Sequence, residues 1–374
     1  MIGKKDIYFD QLNGIRFIAV FLVLIDHWLI PINPFAFFGH LGVVLFFVLS
    51  GFLITRILFK SADDYRKNHS GLLVKIFRFI YRRSLRIFPI YFLLLFLGFL
   101  FSLSNFRQVW PYLVFYLPNI FIMLKGTWLG IWDHLWSLAV EEQYYLVFPY
   151  FVLLLNPRSY KGLFFAMIVL GIGTRLGFAL FASHDVKESN WMWWYVNPFS
   201  ALDCFGIGGI LAYLFHYRQA DFQSLNYLKL GLAVSIFLFC AVLVLAKYSD
   251  YSHDNIWSII FERLFGALVA FFIIGLSVRN DTWFLSSFLK LRFISYLGQI
   301  SYGIYLYHNV VMNYFHDSGN TIWYYLKSYL PDFHLELVNF TLYKFLICLI
   351  ILIGLSSLSW YVIERPINKY KNRI

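Results

Sequence analysis

Charged residues are scarce in this sequence. Asp, Glu, Lys and Arg together make up 14% of its 374 residues, whereas 60% of the residues are hydrophobic. A soluble globular domain is about a quarter charged and about half apolar. The shortage of charge argues against a soluble protein and predicts an all-α fold, a polytopic bundle of transmembrane helices.

Cysteine and the motifs of common enzyme classes are also rare or missing. The three cysteines, Cys204, Cys240 and Cys348, fall inside apolar segments and lack the spacing of a disulfide framework or a metal site. The sequence contains no glycine-rich phosphate loop, no nucleophile-elbow motif and no internal repeat. We therefore expect buried thiols and no metal cofactor.

Apolar segments that can cross a bilayer occur along the whole chain. A spanning helix needs about 20 residues, because it rises about 1.5 Å per residue through a hydrocarbon layer about 30 Å thick. We expect about ten spans in a single transmembrane domain, residues 1–374. The predicted spans are 12–30, 41–59, 87–103, 134–155, 162–182, 199–217, 226–247, 258–278, 294–315 and 340–363. No small-residue cleavage site follows Lys4 and Lys5, so the first span is expected to be retained.

The net charge of +11 is distributed in a way that sets membrane topology. Most lysines and arginines outside the spans lie in loops on the side of the N-terminus, and such an excess marks the cytoplasmic side. The opposite loops carry Arg107, Lys125, Lys187, Lys247 and Lys327. We therefore predict that both termini face the cytoplasm and that the positive charge faces the lipid bilayer rather than nucleic acid.

One further apolar run, residues 110–124, is ambiguous. It contains Pro111 and Pro118 and is too short for an untilted span. An eleventh span here would reverse every later loop and place the basic clusters outside. We expect this run to lie at the interface or to re-enter the membrane on the outer side.

Polar residues in the first span are candidates for a site. Arg16 and His27 lie eleven residues apart, close to three helical turns, so their side chains should share one face about 16 Å apart along the axis. Asp26 directly precedes the histidine. Ionisable groups inside a membrane mark a functional site by default, although snorkelling or hydrogen bonding within the bundle would also explain them.

A second candidate is the basic stretch before the third span. Arg78, Arg82 and Arg86 are spaced by four and share one helical face, and Arg83 forms an R-x-x-R pair with Arg86. Guanidinium groups grip phosphate oxygens bidentately, so this stretch suits a multiply phosphorylated ligand. Topology and contact with lipid headgroups are the competing explanation.

Two adjacent carboxyl groups, Glu141 and Glu142, lie inside the fourth predicted span. Packing does not explain them at that depth, because a carboxylate is costly to bury without a partner. The span enters from the outer side, which puts the pair at nearly the predicted depth of His27. We expect a carboxylate–histidine unit in which a glutamate sets the charge and tautomer of His27.

The ninth span adds Ser301, Tyr302, Tyr305 and His308 to its outer half. The tyrosines could equally be aromatic packing. Further intramembrane charges include the neighbours Glu262 and Arg263, which we interpret as an interfacial ion pair with a structural role. The remaining charges of this kind are Arg175 and Asp203.

Taken together, these stretches resemble acyltransferase family 3, the integral-membrane acyltransferases that modify bacterial surface glycans. The matching pieces occur in the family's order over almost the whole chain. They are residues 10–16 leading to His27, 42–54, 82–89, 136–138 with 141–143, 301–302 with His308, and 364–366.

The resemblance implies a bundle in the bacterial cytoplasmic membrane that uses cytoplasmic acyl-CoA, usually acetyl-CoA, to acylate a carbohydrate hydroxyl. Arg16 and His27 match a family motif whose histidine is the expected catalytic residue, and Arg83 and Arg86 match a motif expected near the coenzyme. Many members carry a C-terminal hydrolase-like domain that this sequence lacks. We therefore expect transfer to be direct, or to be completed by a separate glycan-assembly protein.

These observations assign an expected role to each candidate. His27 would act as general base or transient acyl carrier. The expected catalytic group is His27, Glu141, Glu142 and Asp26; the donor-binding group is Arg16, Arg56, Arg82, Arg83 and Arg86; the acceptor-binding group is Asp10, Trp136, Ser137, Tyr302 and His308. The competing class is a transporter or flippase that uses the intramembrane charges as its pathway, against which the sequence shows no repeated halves.

Overall fold

Helices make up the regular structure of the chain. The computed structural model describes residues 9–29, 38–68, 71–182, 191–223, 227–248, 255, 257–279, 284–316 and 337–372. Every regular element in these ranges is helical. The predicted all-α, polytopic helical fold is therefore confirmed.

The helices are labelled in chain order. They are α1 (Asp10–Trp28), α2 (Phe38–Asn68), α3 (Leu72–Leu100), α4 (Phe106–Val114), α5 (Pro118–Lys125), α6 (Leu135–Leu154), α7 (Tyr160–Phe181), α8 (Met192–Val196), α9 (Leu202–Tyr217), α10 (Gln219–Gln223), α11 (Leu228–Tyr248), α12 (Arg263–Val278), α13 (Phe284–Leu289), α14 (Arg292–Gln299), α15 (Ser301–His316) and α16 (Leu337–Ser359). A wider helical turn, Ser258–Glu262, leads into α12.

Seven of the described helical stretches are long and apolar enough to cross a membrane. They coincide with the second, third, fifth to eighth and tenth predicted spans. Helices α1 and α6, at the first and fourth predicted spans, are single helices of 19 and 20 residues that carry the ionisable candidates. The chain is a multi-pass membrane protein, while the number of ten spans and the side of each terminus stay predictions.

The ninth predicted span, 294–315, is not one continuous helix. It is divided at Ile300 into α14 and α15. Helix α14 packs along α1, where Gly298 lies so close to the Asn13 backbone that a Cβ would overlap it, whereas α15 packs mainly against α16. The break lets the two halves follow different neighbours, and apolar content along the sequence did not indicate it.

The basic stretch is part of a long helical hairpin. Helix α3 begins at Leu72, well before the predicted span boundary at residue 87, and α2 continues to Asn68. The basic side chains of residues 75–86 are therefore held on a regular helix, as their four-residue spacing predicted, and not on a loop.

Residues 110–124 form parts of two short helices, α4 and α5. The chain turns between them at Tyr116, which has a positive φ of 55°. Gln143 of α6 fixes this turn by donating to the Tyr116 carbonyl oxygen at 2.9 Å and by bonding to Asn119 at 3.0 Å. Helices α4 and α5 are both too short to span a membrane, which agrees with the predicted interfacial or re-entrant element.

Close backbone contacts between α2 and α9 form the centre of the bundle. A Cβ on Gly51 would lie 2.5 Å from the Phe205 carbonyl oxygen, and one on Gly208 would meet the Val48 carbonyl oxygen more closely still. Small residues allow such approach in membranes, where packing rather than the hydrophobic effect drives helix association.

Buried charges join neighbouring helices. Arg175 of α7 and Asp203 of α9 are fully buried and 2.5 Å apart. The predicted Glu262–Arg263 ion pair is wrong, because adjacent helical residues point in different directions. Glu262 bonds to His40 Nδ1 at 2.7 Å, whereas Arg263 Nη2 donates to the Tyr195 carbonyl oxygen at 2.8 Å.

The α2–α9 contact generates a stability prediction. Gly208→Ala should lower the free energy of unfolding by about 1–3 kcal/mol, because the added methyl group overpacks the interface. Gly173→Ala is the matched control, since no atom lies within 4 Å of its Cβ position. Thermal unfolding of both variants in one detergent measures the difference, and equal midpoints would contradict the close packing.

Candidate active site

Three histidines from distant parts of the chain meet at one point. His27 lies near the end of α1, His134 directly precedes α6, and His308 lies in α15 beside Asn309. The rings of His27 and His308 stack with centroids 5.0 Å apart, and those of His134 and His308 are 4.7 Å apart. We call His27, His134, His308 and Asn309 the histidine cluster.

Two hydrogen-bond chains fix the tautomer of His27. In the first, His308 Nδ1 lies 2.6 Å from the Tyr305 carbonyl oxygen, which can only accept, so this nitrogen carries the proton. In a neutral ring, His308 Nε2 is then an acceptor. It lies 2.9 Å from His27 Nδ1, which must donate.

The second chain reaches the same nitrogen by another route. His134 Nε2 donates to the Leu306 carbonyl oxygen at 3.1 Å, which leaves His134 Nδ1 to accept from Asn309 Nδ2, also at 3.1 Å. The Asn309 side-chain oxygen therefore faces His27 Nδ1 at 3.3 Å and accepts from it. The first chain requires a proton on His27 Nδ1, and the second is consistent with it when His134 carries its proton on Nε2.

The consequence is a basic nitrogen at His27 Nε2. With the proton on Nδ1, the lone pair of the neutral ring lies on Nε2, and the structure gives this atom no hydrogen-bond partner among the described residues. Fixing one ring nitrogen so that the other can accept a proton is how a histidine is prepared as a general base.

A cavity of about 100 Å³ lies deeper in the bundle, and we call it the inner cavity. Its polar lining combines cations, one carboxylate and hydroxyl groups. These residues are Arg16, Ser50, Arg83, Arg86, Ser137, Glu141, Tyr145, Ser301, Tyr302 and Tyr305. Arg16 is oriented by Asn13, whose side-chain oxygen accepts from Arg16 Nη1 at 2.9 Å.

Two hydroxyl groups separate the inner cavity from the histidine cluster. Ser137 and Tyr305 both line the cavity, and their oxygens are 2.6 Å apart. Tyr305 also donates to the carbonyl oxygen of His134 at 2.6 Å. The end of the inner cavity is therefore bonded directly to the backbone of the cluster.

A larger cavity of about 540 Å³ adjoins the inner one, and we call it the basic cavity. Leu53, Arg83 and Arg86 line both cavities. The cations that line the basic cavity are Arg56, Lys60, Lys75, Arg78, Arg82, Arg83, Arg86 and Lys371. All five residues expected to bind the donor thus lie around the two adjoining cavities, together with four cations that were not expected there.

The expected contact of His27 with the glutamates is wrong. Glu141 follows His134 by seven residues, about 10 Å along the helix, and lies at the level of Arg16. Its carboxylate bonds to Ser50 at 2.6 Å and to Tyr145 at 3.0 Å. Glu142 is buried on another side, and its Oε1 has no hydrogen-bond partner in the part of the chain that the structure describes.

Asp26 faces away from the histidine cluster as well. Its carboxylate accepts from the backbone N–H of Gly39 in the first turn of α2. A carboxylate there satisfies an unpaired N–H and complements the positive end of the helix dipole. The contact assigns Asp26 to helix capping and does not support the expected catalytic role.

The expected acceptor-binding residues divide into three groups. Ser137 and Tyr302 line the inner cavity, and His308 belongs to the histidine cluster. Trp136 is buried against Tyr195, with ring centroids 5.0 Å apart, and does not line either cavity. Asp10 is exposed in the first turn of α1, outside both cavities.

Sequence reasoning missed His134 and Asn309. Both could have been found from the sequence, because each is a polar residue close to a candidate residue. His134 lies two residues before Trp136, and Asn309 directly follows His308. Lys75 had a signal too, since it continues the face of Arg78 and Arg82 by one turn. Lys371 had none, because its place depends on the path of the last helix.

Comparison with known proteins identifies relatives along the whole chain. The sequence profile of a family described as an acyltransferase domain matches residues 9–361. A protein of Staphylococcus aureus strain COL named "Putative O-acetyltransferase" is 27% identical over 98% of this chain and 58% of its own length. No solved structure matches the chain.

Two further relatives carry the name OatA. The peptidoglycan O-acetyltransferase OatA of Listeria monocytogenes is 26% identical over 80% of this chain and 49% of its own length. The O-acetyltransferase OatA of Staphylococcus aureus strain NCTC 8325 is 24% identical over 97% of this chain and 57% of its own length. The chain thus spans about half the length of these relatives. Because the family match covers residues 9–361, including the inner cavity, the histidine cluster and all of the basic cavity except Lys371, the chain belongs to acyltransferase family 3.

Proposed function

We propose that the chain is an O-acetyltransferase of the bacterial cytoplasmic membrane. It would take an acetyl group from cytoplasmic acetyl-CoA and transfer it to a hydroxyl of a cell-surface or lipid-linked carbohydrate. The names of the relatives support the reaction class, and the peptidoglycan acceptor in the name of the Listeria protein supports a carbohydrate acceptor. The observation that carries the proposal is the contact of His27 Nδ1 with His308 Nε2 and the Asn309 side-chain oxygen, which supports a free lone pair on His27 Nε2.

The two cavities suit the donor. Coenzyme A carries several phosphate groups on its nucleotide end and a thiol at the end of a long pantetheine arm. The seven cations that α2 and α3 contribute to the basic cavity would hold the phosphates, since arginine pairs bidentately with phosphate oxygens. The inner cavity would take the pantetheine arm. Although polar side chains reach it, most of the surface that its lining exposes is apolar.

Glu141 receives a different role from the one expected. Held by Ser50 and Tyr145, its carboxylate lies within electrostatic range of Arg83 and Arg86. Buried like charges repel strongly, so a fixed carboxylate near Arg83 and Arg86 would offset the repulsion between the two guanidinium groups at the junction of the cavities. Glu141 is then a positioning residue for the donor site.

His27 would carry the chemistry. Its Nε2 takes the proton of the acceptor hydroxyl while that oxygen attacks the thioester carbonyl carbon, and the carbon–sulfur bond of the resulting adduct then breaks. The proton passes from Nε2 to the departing thiolate, which gives coenzyme A and the acetyl ester. The alternative role, in which Nε2 itself accepts the acetyl group, uses the same nitrogen.

The Ser137–Tyr305 pair must separate during this reaction. It closes the outer end of the inner cavity and is bonded to the backbone of His134. The thioester can meet His27 only when these hydroxyls exchange their mutual bond for bonds to the substrate.

The first functional prediction concerns His27. His27→Ala should lower the turnover number by a factor of about 10²–10⁴, the usual contribution of a general base, and should leave acetyl-CoA binding intact. Transfer of radiolabel from acetyl-CoA to a glycan extract by the purified protein measures turnover. Wild-type turnover in a folded His27→Ala protein would remove the central claim.

The second concerns Asn309, which orients two members of the cluster. Asn309→Ala should reduce turnover about tenfold with little change in the KM for acetyl-CoA, because one fixing hydrogen bond to His27 is lost. Asn313→Ala is the control, since Asn313 lies one turn further along α15 and is exposed. Equal turnover in the two variants would show that the second chain does not orient His27.

The third concerns the donor site. Arg83→Gln and Arg86→Gln should each raise the KM for acetyl-CoA by about tenfold or more, because a charge-assisted bond to phosphate is lost. Arg107→Gln is the control, as this arginine is exposed on the predicted outer side. An unchanged KM in both cavity variants would place the donor elsewhere.

A further inference from the structure

The last part of the chain has no role in the reaction as proposed so far. Helix α16 continues through a wider turn, Trp360–Glu364, and two short helical segments, Arg365–Asn368 and Lys369–Asn372. Such wider turns occur frequently at functional sites, because they rotate the residues that follow. This extension returns to the basic cavity, where Lys371 forms part of the lining.

The wider turn directs the side chain of Glu364 inward and that of its neighbour Arg365 outward. Glu364 is buried, with 4% of its surface exposed, and lies within electrostatic range of Arg86. Ser359, which accepts from Tyr307 at 3.0 Å, orients it by donating at 3.5 Å. Arg365 is exposed and lies over the ring of Tyr361.

Lys371 enters a group of positive charges. It lies within electrostatic range of Arg16, Arg83 and Arg86, and its carbonyl oxygen accepts from Arg82 Nε at 3.1 Å. That backbone bond holds the end of the chain against α3 and fixes where the lysine ammonium group can reach.

The charge balance of the basic cavity calls for an anion. Among the described residues that line it, Asp64 is the one carboxylate, and it is paired with Lys75. Outside the lining, Glu364 offsets part of the charge of Arg86 and Lys371, and Glu141 offsets part of the charge of Arg83 and Arg86. Gathering Arg83, Arg86 and Lys371 within electrostatic range of one another is unfavourable unless a multiply charged anion joins them.

We infer that Lys371 is a direct phosphate ligand of the donor and that the C-terminal extension is one wall of the donor site. This inference rests on the proposed function, because it takes coenzyme A as the anion. Glu364 is the positioning residue: it anchors the extension beside Arg86 so that Lys371 faces the cavity. If Lys371 only set membrane topology, its position would not need to differ from that of Lys369. Lys369 is exposed, whereas Lys371 lines the basic cavity.

The test is binding of coenzyme A to the full chain in detergent, measured by titration calorimetry. Lys371→Gln should weaken binding about tenfold, the usual effect of losing one charge-assisted bond to a phosphate. Lys371→Arg should restore most of the affinity. Lys369→Gln, with the same change in net charge two residues away, should bind as tightly as the wild type.

A donor without phosphates supplies the second measurement. Transfer from S-acetyl-pantetheine should be equal in the wild type and Lys371→Gln, which also shows that the variant is folded. Equal weakening by Lys369→Gln and Lys371→Gln, or no weakening by either, would overturn the inference while leaving the proposed function intact. Failure of the wild type to bind coenzyme A would instead contradict the proposed donor.

Discussion

A bilayer offers no water to buried polar groups, so each of them needs a partner within the protein. In the histidine cluster this constraint sets the chemistry. The carbonyl oxygens of Tyr305 and Leu306 can only accept, and each places a proton on the ring nitrogen facing it. From those two main-chain atoms, the protonation pattern follows through His308, His134 and Asn309 to a single result at His27. The backbone of one helix thereby decides which nitrogen is the base.

The same constraint separates the two halves of the site by charge. The cations collect where α2, α3 and the C-terminal extension leave the apolar layer, and the cluster near the other end of α1 contains neutral rings, an amide and main-chain carbonyls. The proposed charged donor would be held at one end, while His27, the proposed base, would operate as a neutral ring at the other. Helix α1 joins them, with Arg16 in the inner cavity and His27 in the cluster.

Local patterns made much of this architecture predictable. Apolar length gave the helices, four-residue spacing gave the basic face of α3, and motif order pointed to Arg16, His27, Arg83 and Arg86. The partner of His27 could not be predicted, because it lies 281 residues away and several residues of suitable chemistry compete for the role. Glu141 was predicted to contact His27 because the two residues were expected at nearly the same depth. Seven residues along a helix are nevertheless enough to move a side chain from the histidine cluster to the inner cavity. The division of the ninth span at Ile300 was missed for a related reason, since close packing of Gly298 on α1 leaves no mark in apolar content.

Helix α15 touches both halves of the site. Tyr302 donates to the Ile87 carbonyl oxygen of α3, one turn beyond Arg83 of the proposed donor site, while His308 and Asn309 bond to His27, the proposed base. A rigid element that contacts two ligand sites links their occupancies, and such linkage is reciprocal by thermodynamic necessity. If binding of the donor shifts α3 and with it α15, the acceptor would bind with a different affinity to the donor-bound and the donor-free enzyme. Under the proposed function, this one helix would couple binding of the donor to the orientation of His27, and so favour one order of substrate binding.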